Sequence, residues 1–170
     1  HPDHQALISR FGEINDMRIR ARKYLKDMSG STLAHRASRA RFIEEDYEKA
    51  ERLYLEAIAS HKPRYQNVIF AYVDMIKKLK GIDEELKVLL SYKGTFMGNN
   101  DLKIKFYQRL ANVYEGLHDT VSLQETLEAL LNVLEIKGDE QSIGNTYRRL
   151  AECMFNNNHY QGCIDYGTKA

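Results

Sequence analysis

Along the first 28 residues, Leu7, Phe11, Ile14, Arg18, Ala21, Leu25 and Met28 fall at alternating steps of four and three. Steps of that size put side chains on one stripe of a helix, predicted here over about residues 4–28. The stripe is short for a coiled coil and is broken by Arg18, so residues 1–30 read as a packing or capping helix at the end of a helical stack. "SGST" (29–32) interrupts the pattern and supplies a new N-cap. Beyond it the apolar positions keep helical spacing, and strand alternation is nearly absent. Two Pro and ten Gly in 170 residues suit long helices with short connections. The longest break, "SYKGTFMGNND" (91–101), is expected to be a loop.

The pattern repeats. "LAHRASRARFIEEDYEKAERLYLEAIASHKP" (33–63) reads as a helix, a turn at "EED" and a second helix carrying Tyr47, Ala50, Tyr54 and Ala57, ended by Pro63. "NTYRRLAECMFNNNHYQGCIDYGTKA" (145–170) aligns with it without gaps, Ser38 on Ala151, Tyr47 on Tyr160, Ala50 on Cys163 and Ala57 on Ala170. Two looser units lie between, at 67–90 and 106–135. Aligned on Ser38, Ala71, Ala111 and Ala151, the units step by 33, 40 and 40 residues. Small residues at those positions let two helices approach to about 8–10 Å, while Leu and Tyr fill the space beside them. One hairpin cannot bury its stripe alone; stacked hairpins can.

Small crossing residues, an aromatic at the start of the second helix and Ala-x6-Ala beyond it resemble the tetratricopeptide repeat (TPR), and "DYEKAERLYLEAI" (46–58) is a close match to that family's second helix. The resemblance runs from about 33 to 170, specific at both ends and weak in the middle; the 40-residue steps are similar to the extended-repeat branches. It implies an all-α fold, a right-handed α-solenoid of stacked antiparallel helical hairpins over 31–170, with the last of about four hairpins truncated. It also implies a concave groove lined chiefly by first helices. The groove positions map to His35, Arg36, Arg39 and Phe42; Tyr65, Val68, Ile69, Tyr72 and Met75; Lys105, Gln108, Arg109, Asn112 and Glu115; Asn145, Arg148, Arg149, Glu152 and Phe155.

Within that set Arg recurs two residues before the small position in three units, at Arg36, Arg109 and Arg149, with Asn112 and Asn145 nearby. A guanidinium fork binds a carboxylate through two hydrogen bonds, and an Asn amide holds a peptide backbone through its donor and its acceptor. The expected ligand is therefore an acidic or C-terminal peptide, held by Arg36, Arg39, Tyr72, Lys105, Arg109, Asn112, Asn145, Arg148 and Arg149. Similarity to the carboxylate clamp of chaperone-binding members is partial: Asn112 fits, but its unit lacks the paired Lys. The competing expectation is a solvated helix face on which these arginines pair with Glu115 and Glu152. For Tyr65 and Tyr72 it is packing at the core or rim.

Charge adds little. Lys and Arg total 25 against 24 acids, a formal net charge of +1, which steers the chain toward no polyanion. "MRIRARKYLK" (17–26) is basic, but acids dominate residues 43–61 and no recognition motif accompanies the patch, so nucleic acid is not the expected partner; an RNA-reading helical repeat is the third alternative. No apolar run is long enough to span a membrane. Two Cys are too few for a disulfide framework and the N-terminus lacks the order of a signal peptide, so a cytoplasmic protein is expected. Without an initiator Met, and with its last residues inside an unfinished apolar pattern, the chain is expected to be a fragment of a longer protein. Self-association through the exposed terminal repeat is open.

Cys153, His159 and Cys163 lie within eleven residues, close enough to suggest three metal ligands, yet the spacing matches no common finger and a fourth ligand is missing. Cys163, aligned with Ala50, is expected to be a buried small hydrophobe, and Cys153 to point away from it. No Gly-rich phosphate loop, nucleophile elbow or HExxH helix occurs. Neither metal nor cofactor nor catalysis is therefore expected. The predicted function is a non-catalytic protein- or peptide-binding scaffold; the second alternative is a peptide-responsive regulatory domain of a larger signalling or transcription protein.

Overall fold

The computed structural model describes residues 32–61, 65–156 and 159–170; the predicted N-terminal helix and the basic stretch 17–26 lie outside them. Among the described residues all regular structure is helical and there is no strand. Among the described residues nine α-helices follow one another: α1 (Leu33–Arg39), α2 (Tyr47–Ala59), α3 (Tyr65–Lys80), α4 (Ile82–Ser91), α5 (Lys93–Phe96), α6 (Asn100–Leu117), α7 (Thr120–Lys137), α8 (Glu140–Asn156) and α9 (Tyr160–Gly167). A π-helical turn, Ala40–Glu44, extends α1. None of these helices is long and apolar enough to cross a membrane.

The chain divides into two compact units, His1–Met75 and Ile76–Ala170. In the first, α1 packs on α2. Thr32 caps α1, Asp46 caps α2 by accepting from Lys49 N at 2.9 Å, and Glu45 makes the turn between them in the left-handed region at φ 56°. The closest-packed side chains are Ala37, Ala40 and Ala50, each fully buried, with Tyr54 beside them. Ser38, expected at the crossing, is half-buried and its Oγ lies 3.2 Å from the Tyr54 hydroxyl. The π turn explains the one-residue slip. It holds one residue more than an α-helical turn, so Ala37 stands at the place where Ala151 stands in the last hairpin.

The second unit has a regular cadence. Helices α6, α7, α8 and α9 start at residues 100, 120, 140 and 160. Asn99, Asp119 and Asp139 cap the first three, each accepting from the backbone N–H three residues on. His118 and Gly138 end α6 and α7 at φ 57° and 74°. Two-residue connections fold α6 back on α7 and α7 back on α8 as hairpins, and α8 packs on α9. Their shared core holds Ala111, Leu123, Leu127, Leu130, Leu134, Leu150 and Cys153. The expected loop at 91–101 contains the helical turn α5, whose Phe96 is fully buried and stacks on Phe106 at 5.5 Å. An aromatic in a Gly-rich break is anchored because its burial outweighs the local preference for loop.

Candidate functional site

Helices α6 and α8 carry the expected Arg and Asn positions of the third and fourth repeats, and both lie in the second unit. Arg149, on α8, extends across α6. Its Nη2 donates to Glu115 Oε2 at 2.8 Å and to Asn112 Oδ1 at 3.1 Å. The Arg149 side chain is only 22% exposed, which concentrates its charge in a partly desolvated place. Its Nη1 and Nε have no partner among the described residues. Beside it opens a cleft of about 110 Å³ lined by Tyr114, Glu115, His118, Thr120, Leu123, Arg149, Glu152, Cys153 and Asn156.

Cys153 closes the floor of that cleft. Its thiol donates to the Thr120 carbonyl at 3.3 Å, and burial, with Glu128 nearby, pushes its pKa above the ordinary thiol value. A thiol so placed is a poor nucleophile at neutral pH. Cys163, expected to be the buried small residue, is half-buried; the tight approach of α9 to α8 is made by Gly162, where a Cβ would come within 3.2 Å of Met154. Among the described residues no group of three His, Cys, Asp or Glu side chains could hold a metal ion.

The other expected site residues fall into separate environments. Arg109 Nη2 lies 2.6 Å from Glu85 Oε1, and Lys77 Nζ lies 3.1 Å from Oε2 of the same carboxylate. Glu85 is fully buried, so this pair locks α4 to α6. Its position could have been read from the stripe Ile82, Glu85, Leu86, Leu89, which places the acid on the apolar face of α4. Arg148 pairs with Glu152 at 2.7 Å one turn along the same helix. Lys105 and Asn145 are exposed.

In the first unit Arg36 is exposed, and Arg39 Nε lies 3.2 Å from Glu44. Tyr72 is buried; its hydroxyl donates to Glu51 at 2.9 Å and its ring tilts against Tyr54 at 6.3 Å. Two more expected groove residues, Ile69 and Met75, are fully buried. The π turn also moves the repeat positions of α1 by one, so His35 rather than Arg36 occupies the place equivalent to Arg149. No protein-family model matches the chain, and no curated protein matches it.

Proposed function

We propose that the chain is a non-catalytic protein- or peptide-binding scaffold: a right-handed stack of TPR-like hairpins of the extended type whose ligand lies against α6 and α8. The observation that carries this reading is the Arg149 cluster, a partly buried guanidinium held across two helices by Asn112 and Glu115 at the mouth of a cleft. Asn112 and Glu115 fix the fork, so little side-chain entropy is lost when its remaining N–H groups take a ligand oxygen. The 40-residue register of α6 and α8 supports the repeat reading, since it brings equivalent positions of two hairpins to one face.

The ligand is a peptide carrying a carboxylate, either its C-terminus or an acidic side chain. Arg109 is held by Glu85 and Arg148 by Glu152; Arg149 also pairs, with Glu115, but its Nη1 and Nε face the ligand side without a partner among the described residues. Fluorescence anisotropy against a library of C-terminal and acidic peptides tests the reading. Arg149→Ala is expected to weaken binding at least about tenfold, the loss that goes with a charge-assisted hydrogen bond in a partly desolvated place. Unchanged affinity, or binding abolished equally by Lys105→Ala, overturns the assignment.

A further inference from the structure

The charges that line the Arg149 cleft do not add up to a site for a simple anion. Its fixed charges are one guanidinium, Arg149, and two carboxylates, Glu115 and Glu152. Each carboxylate gives one oxygen to an arginine. Glu115 Oε2 accepts from Arg149 Nη2 at 2.8 Å, and Glu152 Oε1 accepts from Arg148 Nη1 at 2.7 Å. Glu115 Oε1 and Glu152 Oε2 have no partner among the described residues, so the cleft offers free acceptors as well as the free N–H groups of Arg149. A ligand that brings only negative charge to Arg149 is opposed by both acids, whereas one that also carries a cation is complementary to all three groups.

We propose that the last residue of the ligand is a lysine, whose α-carboxylate meets Arg149 and whose ammonium meets Glu115 and Glu152. The proposal rests on the peptide reading above and narrows it. A C-terminal lysine carries both charges on one residue, which suits a cleft of about 110 Å³; an acidic side chain beside a lysine would bring two side chains into the same space. The cleft also suits the rest of the side chain. Its buried floor, Leu123 and Cys153, takes an aliphatic stem, and the Tyr114 ring lines it as a surface that attracts a cation. Lysine fits better than arginine because the acceptors come from two helices, α6 and α8. Rotating ammonium donors reach both, whereas a planar guanidinium fork needs its acceptors side by side.

The test is fluorescence anisotropy on the 170-residue chain, up to about 1 mM, with labelled peptides randomised at every position but the last. Separate pools end in Lys, Leu, Glu or amidated Lys. The Lys pool is expected to bind at least about tenfold tighter than the Leu and amidated pools, with the Glu pool weakest. Glu115→Gln combined with Glu152→Gln should erase the preference for Lys over Leu, while Arg149→Ala should weaken both pools alike. Helix content by circular dichroism should not change in the double variant, because the two carboxylates are 60% and 57% exposed. A Lys pool that binds no tighter than Leu or Glu, with binding still lost in Arg149→Ala, overturns the lysine assignment and leaves the peptide reading standing. A Lys preference that survives the double variant, or amidated Lys binding as tightly as free Lys, also overturns the assignment. No binding by any pool, or binding indifferent to Arg149→Ala, overturns both.

Discussion

Glu85 is a fully buried carboxylate facing two cations, and its environment makes Arg109 a structural residue. Removing the guanidinium leaves Glu85 with Lys77 alone, itself half-exposed. Arg109→Ala is expected to cost about 3 kcal/mol, the lower end of the penalty for breaking a buried pair, checked by urea unfolding. The two thiols separate in the same physical way. Iodoacetamide at neutral pH should label Cys163 and leave Cys153 unmodified until the chain is denatured, which peptide mass spectrometry resolves. Of the arginines read from the sequence, pattern alone placed Arg109 and Arg149 alike. What separates them is the neighbour each meets in space, Glu85 on α4 or Glu115 on α6, and ungapped repeat positions carry no information about a third helix.

At the scale of single helices, the caps carry much of the register. Ser122 and Ser142 donate hydroxyl and backbone hydrogen bonds to Asp119 and Asp139, and these hold both carboxyls below the ordinary aspartate value of 3.8. A depressed carboxyl contributes stability above its unfolded pKa and loses it as pH falls through the folded value. Stability should therefore drop as pH goes below about 4, and in Asp119→Asn with Asp139→Asn the drop should be shallower, measured by thermal melts across pH 2–6. Gly138→Ala, at φ 74°, should cost about 1–2 kcal/mol by forcing a Cβ into the left-handed region. The turns at "EED" and the 40-residue step between Ala111 and Ala151 were legible, because caps and small residues are local signals. Helix α5 was not: Phe96 is ordered by stacking on Phe106, a contact that Gly94 and Gly98 on either side of it disguise.

At the scale of the molecule, the all-helical architecture of the described residues follows from composition and period, and within each unit helices pack mainly on their neighbours in sequence. Local packing of this kind forms without closing long loops. The main refolding phase is expected in roughly the microsecond-to-millisecond range, tested by stopped-flow fluorescence of the tyrosines. The order of helices was readable because every hairpin signal lies within about forty residues. Glu115 and Glu152 were legible as partners of the arginines, and they pair with Arg149 and Arg148; that Asn112 joins Arg149 was not, since the two are 37 residues apart and only the pairing of α6, α7 and α8 brings them together.

The wide turn at Ala40–Glu44 changes how this chain should be compared with any other. An extra residue is usually sought in a loop, where a gap costs nothing to place. Here it is absorbed inside a helix, so two hairpins of equal length can be out of phase on one side of the turn and in phase on the other. Alignments that score length alone will match Ser38 with Ala151 and assign Arg36 a role that belongs to the row of His35. Removing one residue between Ala40 and Glu44 would let the turn close as an ordinary α-helical one without rotating what precedes it, because Ala37 would then stand eight residues before Asp46, as Ala151 stands before His159. Ala37 would keep its place against α2, and the two hairpins would align without a gap.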